Sequence, residues 1–214
     1  MDFSLLLVLA ALAGGAFGLF ADRLATRWPE HEEGVSRRGL DWRSVLLVLT
    51  GALVAAALFS RWSEPRDLLV LFIYCAALLL LLATDLDQRL LPFVITLPLI
   101  AFSAVVLLVG WSPLLADRSA ALLSGLLAGL GAPLFLAVTD RLIGGALGGG
   151  DLFLAVSIGF MSGVTRFFSG FLVASVVIAL VLIALIVVRR IGLRTAIPFG
   201  PMLIGAAYVA AISP

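Results

Sequence analysis

The chain has 214 residues, of which 63% are hydrophobic and 13% are charged, and its net charge is +1. Soluble domains contain roughly 45–50% apolar and about 25% charged residues, so the composition excludes a soluble globular protein. The small net charge argues against nucleic-acid binding, and the absence of lysine excludes Schiff-base chemistry on this chain. One cysteine and one histidine supply neither an internal disulfide nor a structural zinc site. We therefore expect no metal and no cofactor.

Apolar segments follow one another along the whole chain and predict an all-α, polytopic membrane protein with about eight transmembrane helices. They cover approximately residues 3–20, 44–60, 68–84, 93–110, 119–139, 152–165, 167–188 and 197–213. All but the sixth approach the ~20 residues that a helix needs to cross a bilayer. We expect a single integral membrane domain over residues 1–214, with a short cytoplasmic loop at 21–43.

The arginines are distributed unevenly between alternate loops, and this distribution predicts the orientation in the membrane. The loops after odd-numbered segments contain Arg23, Arg27, Arg37, Arg38, Arg43, Arg89, Arg141, Arg189, Arg190 and Arg194. The loops after even-numbered segments contain only Arg61, Arg66, Arg118 and Arg166. Because cytoplasmic loops are enriched in Arg and Lys, the odd-numbered loops are predicted in the cytoplasm and both termini outside.

Four carboxylates stand at the ends of apolar segments, where functional groups of membrane proteins concentrate. Asp85 ends the third segment, and Asp151 opens the sixth directly after three glycines, 148–150. Segment parity places both on the cytoplasmic side, where they can meet. Such a pair shares one proton, activates water against a peptide carbonyl and protonates the leaving amine. Asp87 is expected to point elsewhere and Asp140 to lie at a solvated helix end.

The glycine-rich stretch before Asp151 has two interpretations. Gly148 and Gly150 would let a substrate strand approach the backbone closely, because glycine lacks a side chain. A flexible loop between two helices explains the same composition equally well.

Three blocks in chain order carry more specific motifs. The first extends from Asp85 to Leu99 and includes Arg89, Pro92, Thr96 and Pro98. The second is Gly148-Gly149-Gly150-Asp151 with the small-residue segment that follows it, and the third is Pro198-Phe199-Gly200-Pro201. Together these blocks, which cover roughly residues 80–205, resemble the type IV prepilin leader peptidases, a family of polytopic GxGD aspartic proteases.

The resemblance implies a function and a site. It implies that Asp85 and Asp151 are the catalytic pair of an aspartic endopeptidase. The substrates would be prepilins or pseudopilins, whose short basic leader is removed at the cytoplasmic face of the bacterial plasma membrane. Supporting positions would be Gly148, Gly150, Arg89, Pro92, Pro198, Phe199, Gly200 and Pro201. The partners would be these substrates and the lipid bilayer, with no nucleic acid.

The sequence departs from the family pattern in three places. Phe93 stands where the family usually has Asp or Asn, and Phe153 stands where many members have Lys. Many bacterial members also have a long cytoplasmic insert with two CxxC pairs, linked to N-methylation of the product. Here that place is the loop 21–43, which contains no cysteine. The missing insert argues against a methyltransferase activity.

Two other functions fit some of the same features. A small transporter or channel would also place polar residues beside a glycine-interrupted helix, and a flux that depends on Asp151 would favour it. A catalytically silent pilus assembly factor of the same fold would explain the changes at Phe93 and Phe153. Binding of a prepilin without cleavage would favour that function.

Overall fold

A computed structural model describes residues 3–29, 39–115, 118–143, 147–188 and 199–213. Within these ranges every regular element is a helix, which confirms the predicted all-α class. The helices are α1 (Phe3–Ala25), α2 (Trp42–Arg61), α3 (Pro65–Gln88), α4 (Phe93–Val109), α5 (Arg118–Ile143), α6 (Gly149–Val187) and α7 (Phe199–Ile212). His31 and Pro198 lie outside the described residues.

The bundle has the surface of a membrane protein. Five of its helices, namely α1, α2, α3, α5 and α6, are long and apolar enough to cross a bilayer, and α4 and α7 are shorter apolar helices. The exposed large hydrophobic side chains on α1 to α6 are mainly leucine, valine and phenylalanine. Helices that are apolar on their outer as well as their inner faces are typical of a bundle surrounded by lipid. The chain is therefore a multi-pass membrane protein.

The longest helix, α6, is interrupted at Gly163. The backbone there has φ 65° and ψ −179°, which lies in the region that favours glycine. The amide of Val164 donates a hydrogen bond to the hydroxyl of Ser124 in α5. Phe168, one turn later, makes an edge-on ring contact with Phe135, much further along α5.

The two arms of α6 therefore pack along α5 in opposite directions. Before the break, Gly159 lies against the backbone of Ala128, so residue numbers rise along this arm as they fall along α5. After the break, the second arm runs back towards the end of α5, where Phe168 contacts Phe135. The separate segments predicted at 152–165 and 167–188 are these two arms, although the boundary falls at Gly163 and not in the polar stretch around Arg166.

Helix α3 lies at the centre of the bundle and packs against α1, α2, α4 and α7. Its buried side chains, among them Tyr74, Leu78 and Leu81, form much of the core. The helix does not end at Asp85 as predicted. It continues for another turn to Gln88, where Arg89 takes a left-handed conformation (φ 56°) and ends the helix.

Helix α7 returns antiparallel to the second arm of α6. Arg166 donates hydrogen bonds to the carbonyls of Ala210 (3.1 Å) and Ser213 (2.8 Å) at the end of α7. Near the middle, Gly170 lies against the backbone of Ala206. This arrangement directs the start of α7 towards the end of α3 that carries Asp85. We call this end of the bundle the aspartate end.

Candidate active site

Asp85 is a buried carboxyl group near the end of α3. Its residue is only 8% exposed, and its Oδ2 has no hydrogen-bond partner among the described residues. Its carboxyl group is repelled by the carboxyl group of Asp151 in α6 and attracted by the guanidinium group of Arg89. Buried polar atoms normally have a partner, so an unpartnered carboxyl oxygen beside a second carboxylate makes Asp85 a candidate for a functional position.

Asp151 is the third residue of α6 and is fixed by the backbone just before it. Its Oδ2 accepts a hydrogen bond from the amide of Gly148 (3.1 Å), and its own amide donates to the carbonyl of Gly148 (3.1 Å). A carboxylate in the first turn of a helix is also favoured by the helix dipole. The structure thus places Asp151 close to Asp85 and holds it in a defined position.

The glycines before Asp151 differ in their surroundings. A β-carbon on Gly150 would stand 2.8 Å from Cβ of Leu91, in the turn between α3 and α4. Packing therefore explains the glycine at position 150, since only a glycine lets this turn lie against α6. A β-carbon on Gly148 would make an ordinary contact, 3.5 Å from Oδ2 of Asp151. Close approach of a substrate to these glycines remains a prediction.

Arg89 and Pro92 shape the turn that connects α3 to α4. The amide of Arg89 donates to the carbonyl of Asp85 (2.8 Å), which closes the last turn of α3. Pro92 precedes the first residue of α4, and its carbonyl accepts hydrogen bonds from the amide and the hydroxyl of Thr96, both at 3.0 Å. Both residues therefore direct the chain around the aspartate end.

The start of α7 forms one wall of the site. A β-carbon on Gly200 would stand 2.8 Å from Cγ and Oδ2 of Asp85 and 2.9 Å from its Oδ1. Phe199 packs at the edge of the core, and Pro201 continues the first turn of the helix. The run Phe199-Gly200-Pro201 thus lies at the aspartate pair, and the contact is made by Gly200.

The other two carboxylates have structural partners. Asp87 forms an ion pair with Arg43 of α2, with an Nη1–Oδ1 distance of 2.8 Å, and so points away from Asp85 as expected. Asp140 accepts a hydrogen bond from the amide of Leu147 at 2.8 Å. Asp140 lies in the last turn of α5, as expected, and is half-buried. Its side chain holds the backbone that leads into Asp151.

Sequence reasoning missed a polar network behind the site. Asp22 is fully buried and accepts a hydrogen bond from the hydroxyl of Ser44 at 2.8 Å. Asp41 caps α2 by accepting from the amides of Arg43 and Ser44. Asp22, Asp41 and Arg43 belong to the charged stretch 21–43, which looks like a solvated loop. The signal that could have found Asp41 is an aspartate that stands three residues before the apolar run 44–60, a position typical of an N-cap.

Residues 72–185 match the family model described as "Type IV leader peptidase family". The chain belongs to this family. A curated relative, the prepilin leader peptidase/N-methyltransferase of Bacillus subtilis (strain 168), is 31% identical over 162 residues. The match covers 74% of this chain and 62% of the relative, so the chain spans under two thirds of that protein's length. No solved structure matches the chain.

The two aromatic departures from the leader peptidase pattern contact each other. The rings of Phe93 and Phe153 meet edge to face, with their centroids 5.5 Å apart and their planes at 83°. Phe93 is the first residue of α4, and Phe153 follows Asp151 by two residues. Within the described ranges, no three His, Cys, Asp or Glu side chains are grouped to hold a metal ion.

Proposed function

We propose that this leader peptidase family member is an aspartic endopeptidase that removes the short basic leader from prepilins or pseudopilins. The observation that carries the proposal is that the turn after Asp85 packs at Leu91 against Gly150, the residue before Asp151, so that the two carboxyl groups lie near each other at one end of a membrane bundle. The family supports a prepilin peptidase role. The two aspartates supply what peptide hydrolysis needs without a nucleophilic side chain.

In the proposed mechanism the two carboxyl groups share one proton. The ionised carboxylate removes a proton from a water molecule, which attacks the scissile carbonyl carbon. The protonated carboxyl donates to the carbonyl oxygen, and the tetrahedral intermediate then collapses as the departing amine gains a proton. Two such carboxylates titrate as a pair, so neither residue is assigned a fixed acid or base role.

The proposed orientation places this chemistry at the cytoplasmic boundary. If the two arms of α6 each cross the bilayer, the chain crosses it eight times, and the arginine distribution puts the aspartate end in the cytoplasm. A substrate whose basic leader lies in the cytoplasm and whose apolar helix lies in the membrane would present its junction at this depth. The apolar helix would enter sideways from the lipid.

Co-expression with a prepilin from the same genome tests the function directly. We expect wild-type protein to remove the leader, seen as a loss of mass, and D85N/D151N to leave the prepilin intact. Because the stretch 21–43 contains no cysteine, we expect the new N-terminus to carry no methyl group, which the same spectrum reports. Prepilin that binds wild-type protein but stays uncut would instead favour a silent assembly factor. Ion flux through liposomes that depends on Asp151 would favour a transporter.

A further inference from the structure

A pair of aromatic rings connects the starts of two helices beside the aspartate pair. Phe93 opens α4, and Phe153 lies in the first arm of α6 just after Asp151. Their edge-to-face contact at 5.5 Å is the geometry in which aromatic rings attract each other. The contact therefore holds the beginning of α4 against the beginning of α6.

This contact acts together with a neighbouring one. Residues 89–92 form the short turn between α3 and α4, and Leu91 in this turn packs against Gly150. The chain that leaves Asp85 is thus attached twice to the chain that carries Asp151, once by Leu91 and Gly150 and once by the two rings. A movement of α4 away from α6 would change the relative position of the two aspartates.

The exposure of the rings separates them from the core. Phe93 is 52% exposed and Phe153 is 42% exposed, so neither side chain fills the interior of the bundle. Among the ring contacts of the described residues, each of the two takes part only in the contact with the other. Truncating them should therefore disturb the mutual contact without leaving an internal cavity.

We propose that Phe93 and Phe153 are positioning residues, an aromatic latch that sets the separation of the Asp85 and Asp151 carboxyl groups and so the rate of cleavage. The proposal rests on the proposed function, because the rate it concerns is that of peptide cleavage. The latch touches neither the water nor the scissile bond. It acts through the backbone that carries Asp151.

Steady-state cleavage of a purified prepilin by F93A, F153A and F93A/F153A tests the latch. We expect each single variant to lower kcat roughly three- to tenfold, as loss of an aromatic pair would, with KM within about twofold. The double variant should be little worse than either single one, because both remove the same contact. F93D/F153K should recover part of the lost kcat, since opposite charges at these positions restore an attraction.

The chain contains a matched control. Phe135 and Phe168 also meet edge to face, at 6.1 Å and 73°, and are 49% and 46% exposed. This pair joins α5 to the second arm of α6. Neither phenylalanine is a sequence neighbour of Asp85 or Asp151. F135A/F168A should therefore leave both kcat and KM unchanged.

A disulfide reporter tests the latch without using activity. In a C75A background, L91C/G150C places two thiols where the β-carbons would be 2.8 Å apart, so the segments need to separate by about 1 Å to reach disulfide geometry. The latch predicts that F93A/F153A changes the rate of disulfide formation several-fold and that F135A/F168A does not. The rate is read from the mass added by a thiol-alkylating reagent.

The outcomes separate the latch from the function. Unchanged kcat in F93A/F153A would overturn the latch while the peptidase proposal stands. A higher KM at unchanged kcat would also overturn it, because the rings would then contact the substrate. If wild-type protein cleaves no prepilin, the proposed function fails, and the disulfide rate alone decides whether the rings fix the two segments.

Discussion

The backbone of Gly200 lies directly against the carboxyl group of Asp85. A β-carbon at this position would be 2.8–2.9 Å from all three carboxyl heavy atoms, closer than unbonded atoms pack. The first turn of α7 thus forms a wall of the site that any side chain at residue 200 would push away. This contact explains in physical terms why a glycine stands between Phe199 and Pro201.

We predict that Gly200→Ala lowers kcat/KM by roughly tenfold or more, because a displaced catalytic group costs large factors in rate. Gly205→Ala, in the same helix, is the matched control. A β-carbon there would meet Cβ of Ala174 at 3.6 Å, an ordinary contact. Cleavage rates of both variants, with thermal unfolding in detergent, make the comparison. Equal activity of the two variants would contradict the role of the wall.

Asp140 should matter through its acceptor oxygen. Asp140→Ala removes the partner of the Leu147 amide, and we expect cleavage to fall about five- to tenfold, in line with a lost hydrogen bond to a charged group. Asp140→Asn keeps an Oδ1 acceptor and should retain most of the activity. If the two variants lose activity equally, the carboxylate charge and not the hydrogen bond is what matters.

The ion pair between Arg43 and Asp87 should stabilise the aspartate end. Its 2.8 Å contact is mostly buried, so removing either side chain takes a buried, charge-assisted hydrogen bond away from the other. We expect R43A or D87A to cost about 1–3 kcal/mol of unfolding free energy, and R43A/D87A to cost less than the sum of the two.

The pair formed by Arg66 and Asp67, at the opposite end of α3, is the control for that prediction. Its 3.0 Å contact involves a mostly exposed arginine, and R66A/D67A should cost no more than about 1 kcal/mol. Thermal unfolding of R43A, D87A, R43A/D87A and R66A/D67A measures these costs in unfolding free energy. A cost for R66A/D67A as large as for D87A would count against a special role of the buried pair.

The break in α6 should require glycine. At φ 65° an L side chain is strained, and a β-carbon on Gly163 would also stand 2.7 Å from the hydroxyl oxygen of Ser124. We expect Gly163→Ala to destabilise the fold by more than about 1 kcal/mol. Gly131→Ala, in α5, meets nothing within 4 Å and should be neutral. A neutral Gly163→Ala would show that the break tolerates a side chain.

The membrane helices and the aspartate pair could be predicted from the sequence, because bilayer thickness and segment parity constrain them. An apolar run of about 20 residues has few alternatives to a spanning helix. Asp85 ends one such run and Asp151 begins another. Counting the runs puts both residues on the same predicted side of the membrane, where their side chains can come together. The helix ends were less predictable, since Leu86 and Asp87 continue α3 although a charged residue precedes them.

The contacts that depend on tertiary packing could not be predicted. The resemblance assigns Gly200 a supporting role, but its direct contact with the carboxyl group of Asp85 could not be predicted, because α7 reaches that place only after α6 has reversed. In the sequence, Arg43 and Asp22 look like residues of a solvated loop. Only the fold shows that Arg43 forms an ion pair with Asp87 and that the buried Asp22 accepts a hydrogen bond from Ser44. Arg166 likewise suggests a loop, yet it binds the carbonyls at the end of α7.

The most direct test of the catalytic pair is the cleavage rate of purified Asp85→Asn and Asp151→Asn on a prepilin, with Asp67→Asn as control. Asn keeps the shape of the carboxyl group and removes its acid–base chemistry, whereas Asp67 lies at the other end of α3 beside Arg66. We predict that both site variants fold, as judged by thermal unfolding, and show no detectable cleavage, while Asp67→Asn cleaves at the wild-type rate. Cleavage retained by either Asp85→Asn or Asp151→Asn would contradict the assignment.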